Sequence, residues 1–247
     1  MRPNIFGKAM ALNGDKTTTG ATCIATIQTV GCHQNIPNNF HLKGGEIMGN
    51  IGGIPISTAK KWILNTMSIA GEQNHGKILA DIFSVYLESM LSNGWRGACH
   101  DLSTAFYMTL SEYSYNPILY TGVVKGEKGE LFDHSWVEID NKIYDFTICY
   151  PNLNGVAVSP PIFCSKNVDT KKVTEIKYGV KEVNLDCSVQ QIVKSTIDEY
   201  SRSRPKNHVD MYEIAAEYGS IIPNSTRKKL SSDTLRQKYS SHKRVLK

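Results

Sequence analysis

The spacing of apolar residues changes from a helical period to a strand period near the middle of the chain. Between residues 78 and 91, apolar side chains recur at intervals of three and four, which predicts an amphipathic helix. Asn93-Gly94 is expected to end that helix. A shorter apolar pattern predicts a helix before it, beginning near Thr58, and a third helix is expected to begin near Cys99.

After Asn116-Pro117, which should stop the third helix, apolar and polar residues alternate as they do in half-buried strands. The alternation predicts strands over residues 118–124, 133–139 and 142–147.

The last two of these strands are joined by a pair of residues, Asp140-Asn141, that suits a two-residue hairpin turn. That turn pairs Trp136 with Asp145 and makes His134 a diagonal neighbour of Asp145 on the same face of the sheet. A slip of one residue would place the two side chains on opposite faces.

The C-terminal third has weaker patterns. They predict a strand over 173–185, a helix over 189–200 and a short helix near 211–219, with Asp210 as its N-cap.

The length of 247 residues and a 40% share of hydrophobic residues fit a globular protein of one or two domains. No apolar run approaches the roughly 20 residues of a membrane span, and the N-terminus has no secretory signal pattern. We therefore expect a protein made in the cytoplasm, with no membrane span.

The net charge of +5 is concentrated at the end of the chain. Residues 221–247 hold eight basic residues and one acid, which predicts a basic, flexible tail. A contact with a nucleic acid or a membrane surface is the alternative for that tail, but we expect no nucleic-acid partner. The expected organisation is an N-terminal segment and linker over 1–57, an enzyme domain over 58–220, and the tail.

Cys99 is the candidate nucleophile. The six cysteines contain no CxxC pair and do not have the spacing of a disulfide framework, so a free reactive thiol is expected. At a helix start the dipole and unpaired amides favour a thiolate. His134 would serve as base and Asp145 would orient it, which is the arrangement that acyl transfer requires. Taken one at a time, each of the three residues also has an ordinary structural interpretation, and their joint occurrence favours catalysis.

The segments GACHDLSTAFYMTL and DHSWVEIDNKIYDFT resemble the transglutaminase-like branch of the papain-like superfamily. The matching positions are Gly97–Cys99, His134–Glu138 and Tyr144-Asp145, within residues 75–150. The resemblance implies an α+β fold with a papain-like core, in which the nucleophile's helix packs on an antiparallel sheet. It also implies a Cys99–His134–Asp145 triad that acts through a thioester in a protease, deamidase or transglutaminase.

The segment Gly14–Gly20, with its three threonines, resembles the start of PAAR-motif proteins, which cap the type VI secretion spike. Those tips hold zinc through His and Cys, and this segment offers Cys23, Cys32, His33 and His41. The adjacent Cys32-His33 pair does not have a recognised metal-ligand spacing, and we predict no metal and no cofactor.

Together the two resemblances imply a bacterial type VI effector, secreted into target cells, that hydrolyses or exchanges amide bonds. The substrate would be a protein or a peptidoglycan peptide, and a spike protein and an immunity protein are possible partners. Two alternatives stay open. One is a non-catalytic binding module on a spike adaptor. The other is an arylamine N-acetyltransferase-like enzyme, suggested by Trp95–Gly97, although that family has a longer spacing before its cysteine.

Overall fold

The computed structural model describes residues 50–71, 76–151, 157–181, 185–205, 208–222 and 229–247. The segment that resembles a PAAR motif, and the four candidate zinc ligands Cys23, Cys32, His33 and His41, lie outside these ranges.

The described residues form helices and small sheets, which makes the fold a mixed α and β one. The helices are α1 (Ile56–Gly71), α2 (Gly76–Asn93), α3 (Cys99–Glu112), α4 (Cys187–Lys194), α5 (Ile197–Ser203), α6 (Met211–Ser220) and α7 (Ser232–Tyr239). The strands are β1 (Asn50–Ile51), β2 (Ile54–Pro55), β3 (Ile118–Lys125), β4 (Leu131–Ile139), β5 (Lys142–Tyr144), β6 (Ile162–Phe163), β7 (Lys166–Asn167), β8 (Lys177–Tyr178) and β9 (Val245–Leu246).

The largest sheet has the order β5-β4-β3-β8, and β9 also pairs with β3, in parallel. The β4–β5 hairpin has the predicted register, because Ile139 pairs with Lys142 and Val137 with Tyr144. Asp140 and Asn141 have φ angles of 49° and 58°, as the predicted turn requires. Helix α3 packs against β4 of this sheet, and Ser103 Oγ donates to the carbonyl of Ser135 at 2.9 Å.

Four phenylalanine rings centre the main core. Phe83 of α2 contacts Phe106 of α3, Phe146 and Phe163 edge to face, with ring centroids 5.1 to 6.1 Å apart. All four rings are at most 1% exposed. The helical period of α2 therefore directs its apolar face onto α3 and onto the segment that follows β5.

The strand predicted over 142–147 is shorter in the structure. β5 ends at Tyr144, and residues Thr147–Cys149 form a 3-10 turn. The cause is Asp145, whose Oδ1 accepts hydrogen bonds from the amides of Thr147 and Ile148 at 3.0 and 3.1 Å. A side chain that captures nearby amides competes with the strand ladder, so the predicted pairing of Trp136 with Asp145 is not made.

The C-terminal predictions are partly correct. The helix predicted over 189–200 is two helices, α4 and α5, because Thr196 forms a capping box with Glu199 and starts a new helix. The strand predicted over 173–185 is reduced to β8 in its described part. Helix α6 begins where expected, and the side chain of Asp210 caps it by accepting from the amide of Tyr212.

Residues 229–247 differ from the predicted flexible tail. They form α7 and β9, and Leu235, Tyr239 and Arg244 are at most 3% exposed. The apolar face of α7 is formed by Leu235 and Tyr239, which are four residues apart and so about one turn along the helix. The surrounding basic residues made this pattern hard to recognise in the sequence.

No helix within the described residues is long and apolar enough to cross a membrane. Within the same ranges, no group of three or more His, Cys, Asp or Glu side chains is arranged to hold a metal ion.

We predict that Phe83→Ala lowers the free energy of unfolding by about 3–5 kcal/mol, because it removes the ring shared by the aromatic core. Chemical denaturation measures this change. Leu64→Ala is the control, since Leu64 is 57% exposed and its loss should cost no more than about 0.5 kcal/mol. Similar costs for the two variants would contradict this account of the core.

Candidate active site

Cys99 is the first residue of α3, and the turn before it is fixed by its backbone. Gly97 has a φ of 65°, and its amide donates to the carbonyl of Tyr150 at 2.9 Å. The N-cap residue is Ala98, whose side chain offers no acceptor to the first-turn amides. The first amides of a helix have no partner within the helix, and Cys99 is the first residue of this one.

Asp145 is a carboxylate with 1% exposure and five hydrogen bonds. Its Oδ1 accepts from Thr147 Oγ1 at 2.8 Å as well as from the amides of Thr147 and Ile148. Its Oδ2 accepts from His134 Nε2 at 2.8 Å and from the hydroxyl of Tyr178 at 2.9 Å. These donors compensate the burial of the charge and fix both carboxylate oxygens.

His134 interacts with both Asp145 and Cys99. Nε2 is engaged by the carboxylate, and the ring also interacts electrostatically with the Cys99 sulfur. Burial alone would lower the pKa of the imidazole, but the charge of Asp145, followed by the Cys99 sulfur, outweighs it and raises the pKa to about 10. At neutral pH the ring is therefore held as imidazolium.

A second imidazole adjoins the cysteine in sequence, but its environment is the opposite. His100 is buried, and its burial, together with the charge of Arg244, lowers its pKa to about 3. Its Nδ1 lies 2.7 Å from Ser135 Oγ, which also bonds to Thr121 Oγ1 at 2.6 Å. His100 is thus a neutral group that joins α3 to the sheet, whereas His134 is the ring that can carry a proton.

The structure brings His134 and Asp145 into contact, as the sequence predicted, and Cys99 interacts electrostatically with His134. Cys99 keeps 8% of its surface exposed, while His134 and Asp145 keep 1% each. Cys99 is thus the residue of the three that solvent reaches most easily.

Trp136 and Glu138 are two of the positions that resemble the transglutaminase-like pattern, and they are linked to Asp145 through Tyr178. Trp136 Nε1 donates to Glu138 Oε1 at 2.8 Å, and the indole packs on Tyr178 with centroids 4.9 Å apart. Tyr178 in turn holds Asp145. These residues position the carboxylate through Tyr178.

The sequence patterns did not identify several residues that interact with Asp145 or Cys99. Tyr178 and Thr147 hydrogen-bond with Asp145, while Tyr200 and Arg244 interact electrostatically with Cys99. The only available signal was local, since Thr147 follows Asp145 at the spacing of a side-chain cap. Tyr178, Tyr200 and Arg244 are far away in the chain, and no local pattern marks them.

We predict that Asp145→Asn lowers the pKa of His134 to below 6.5, because burial then acts on the ring without the compensating carboxylate. Imidazole NMR titration measures the shift.

The pH dependence of stability gives a second measurement. In the wild type, the contribution of protonated His134 to the free energy of unfolding is fully present below the unfolded pKa of 6.5, and it is lost as the pH rises through about 10. The free energy of unfolding of Asp145→Asn should not show this loss. Asp140→Asn, at the exposed hairpin turn, is the control and should keep it. Identical pH dependence in all three proteins would contradict the assignment.

Comparisons with protein-family models, curated proteins and solved structures give no match for this chain.

Proposed function

We propose that the protein is a cysteine-dependent amide hydrolase or transamidase. The observation that carries the proposal is the electrostatic difference between the two imidazoles beside Cys99. One ring, His134, is paired with a buried carboxylate that favours its protonated form, and the other, His100, is kept neutral. A purely structural cysteine needs neither a buried ion pair nor an unpaired helix start beside it.

In the proposed reaction, the Cys99 thiolate attacks the carbonyl carbon of an amide and forms a C–S bond. The negative charge moves to the carbonyl oxygen, where amides at the start of α3 can stabilise it. His134 gives its proton to the leaving nitrogen as the C–N bond breaks, which leaves a thioester. His134 then takes a proton from water or an amine, which attacks the thioester and releases the thiolate. Asp145 orients the ring throughout.

The papain-like or transglutaminase-like assignment and the triad of Cys99, His134 and Asp145 belong to this proposal. One support is the packing of α3, which carries Cys99, on an antiparallel sheet. The other is that Trp136 packs on Tyr178, whose hydroxyl donates to Asp145. The substrates we propose are target-cell proteins or peptidoglycan peptides.

We further propose that the chain is a type VI secretion effector, with a spike protein and an immunity protein as partners. This part rests on the resemblance of Gly14–Gly20 to PAAR-motif proteins alone.

Alkylation by iodoacetamide near neutral pH tests the nucleophile directly. Cys99 should react faster than the exposed Cys187, although Cys99 is nearly buried, because an imidazolium favours its thiolate. His134→Ala should slow Cys99 by on the order of tenfold or more. Peptide mapping by mass spectrometry follows each cysteine separately. His242→Ala is the matched control and should leave the Cys99 rate unchanged. Cys99 reacting no faster than Cys187 would overturn the proposal.

Expression in a bacterial host, directed to the cytoplasm or to the periplasm, tests the effector. The wild type should inhibit growth in one compartment, and Cys99→Ala should abolish the inhibition because the thioester cannot form. Cys187→Ala should remain as toxic as the wild type. Growth inhibition that survives Cys99→Ala would refute a catalytic toxin, and the sensitive compartment would identify the location of the substrate.

A further inference from the structure

Two guanidinium groups lie on one tyrosine ring beside the start of α3. Arg244 has its Cζ 4.3 Å from the centroid of Tyr200, and Arg204 has its Cζ 5.3 Å from the same centroid. The Tyr200 hydroxyl donates to Asp101 Oδ2 at 3.1 Å, and Arg204 Nη2 is 3.6 Å from that oxygen. We call Asp101, Tyr200, Arg204 and Arg244 the Tyr200 cluster. Cys99 interacts electrostatically with both Tyr200 and Arg244 of this cluster.

Arg244 is 3% exposed and only partly bonded. Its Nη2 donates to Thr104 Oγ1 at 2.8 Å and to the carbonyl of His100 at 3.3 Å. Its Nε and Nη1 are buried and find no hydrogen-bond acceptor among the described residues. Two nitrogens of Arg204, Nε and Nη2, are likewise buried without a hydrogen-bond acceptor among the described residues. A buried donor on a charged group without an acceptor is costly, so these nitrogens indicate an absent acceptor.

The charges of the cluster do not balance. Burial raises the pKa of Asp101, but Arg204 and His208 outweigh it and hold the pKa at about 2, so this carboxylate is ionised. Its oxygens are already engaged by Tyr200, His208 and Arg204. Burial raises the pKa of Tyr200, which keeps its hydroxyl neutral. Two guanidinium cations therefore face one carboxylate.

The Cys99 thiolate can supply the missing negative charge before the reaction, but not after it. The sulfur becomes neutral when the thioester forms, and a substrate carboxylate would then keep the cluster balanced. Such a group also has the oxygen acceptors that the unpaired nitrogens lack. The Arg204 side chain keeps 14% exposure, so part of this cation is in contact with solvent.

We propose that Arg244 and Arg204 form an anion subsite beside Cys99 that binds a carboxylate of the substrate. The inference rests on the proposed function, because the subsite selects the substrate of that nucleophile. It narrows the substrate class to amides with a carboxylate near the reacting carbonyl, such as peptides with an acidic side chain or a free C-terminus.

The test compares two alkylating probes that differ chiefly in charge, iodoacetate and iodoacetamide. At a thiol without a nearby cation, the anionic probe has no advantage. The ratio of the iodoacetate rate to the iodoacetamide rate should be on the order of tenfold higher at Cys99 than at Cys187 of the same protein. Peptide mapping gives both ratios from one sample.

Arg244→Gln and Arg204→Gln should each bring the Cys99 ratio toward that of Cys187. Arg202→Gln is the matched control, because Arg202 is on the same helix as Tyr200 but its side chain is 76% exposed, and it should not change the ratio. Thermal melting checks that each variant folds. Should Arg244→Gln not fold, Arg204→Gln decides the question.

Added acetate should slow the iodoacetate reaction at Cys99 without slowing the iodoacetamide reaction. Stronger competition by inorganic phosphate would overturn the assignment to a carboxylate. Equal ratios at Cys99 and Cys187, with rapid iodoacetamide alkylation of Cys99, would overturn the subsite and leave the proposed function standing. Slow alkylation of Cys99 by both probes would overturn both.

Discussion

The buried carboxylate of Asp145 is the constraint on which the rest of the site depends. A carboxylate removed from water must be surrounded by donors, and this one has five hydrogen bonds from three parts of the chain. The same contacts end β5, begin the 3-10 turn, orient the Tyr178 side chain and fix the His134 ring. Local backbone structure and the protonation of the imidazole are therefore consequences of one buried charge.

The helix that carries Cys99 is held from two sides. On the sheet side, Ser135 bonds to His100 and accepts from Ser103 through its carbonyl. On the other side, Arg244 donates to Thr104. The sulfur is placed by contacts to residues that are far apart in sequence, and residues 229–247 belong to the same packed unit as the helix.

Local chemistry explains which features the sequence could predict. The β4–β5 hairpin follows from two residues, Asp140-Asn141, and from strand alternation, so its register and the closeness of His134 to Asp145 were predictable. The start of α3 followed from its apolar period. The sequence did not predict the end of β5 at Tyr144, because there the Asp145 side chain competes with the strand ladder.

Other features depend on long-range contacts that no local pattern reveals. Tyr178 reaches Asp145 from 33 positions away. The local sequence does not distinguish Arg244 from an exposed arginine, but its guanidinium is buried against the ring of Tyr200. The apolar positions of α7 are too few to stand out against the basic residues around them. Charge counts therefore predicted a solvated tail, whereas the packing of Leu235 and Tyr239 decides the structure.

The charged groups buried around Cys99 cost more folding free energy than packing alone requires. A buried ion pair can usually be replaced by apolar residues of similar size with little loss of stability. Here His134 pairs with Asp145 and Arg204 pairs with Asp101 near the start of α3, and the guanidinium groups of Arg204 and Arg244 keep donors that are unpaired among the described residues. Fold stability gives no reason for such an arrangement. The proposed reaction, which creates and removes negative charge at the Cys99 sulfur, gives one, because fixed cations stabilise that charge without reorganising.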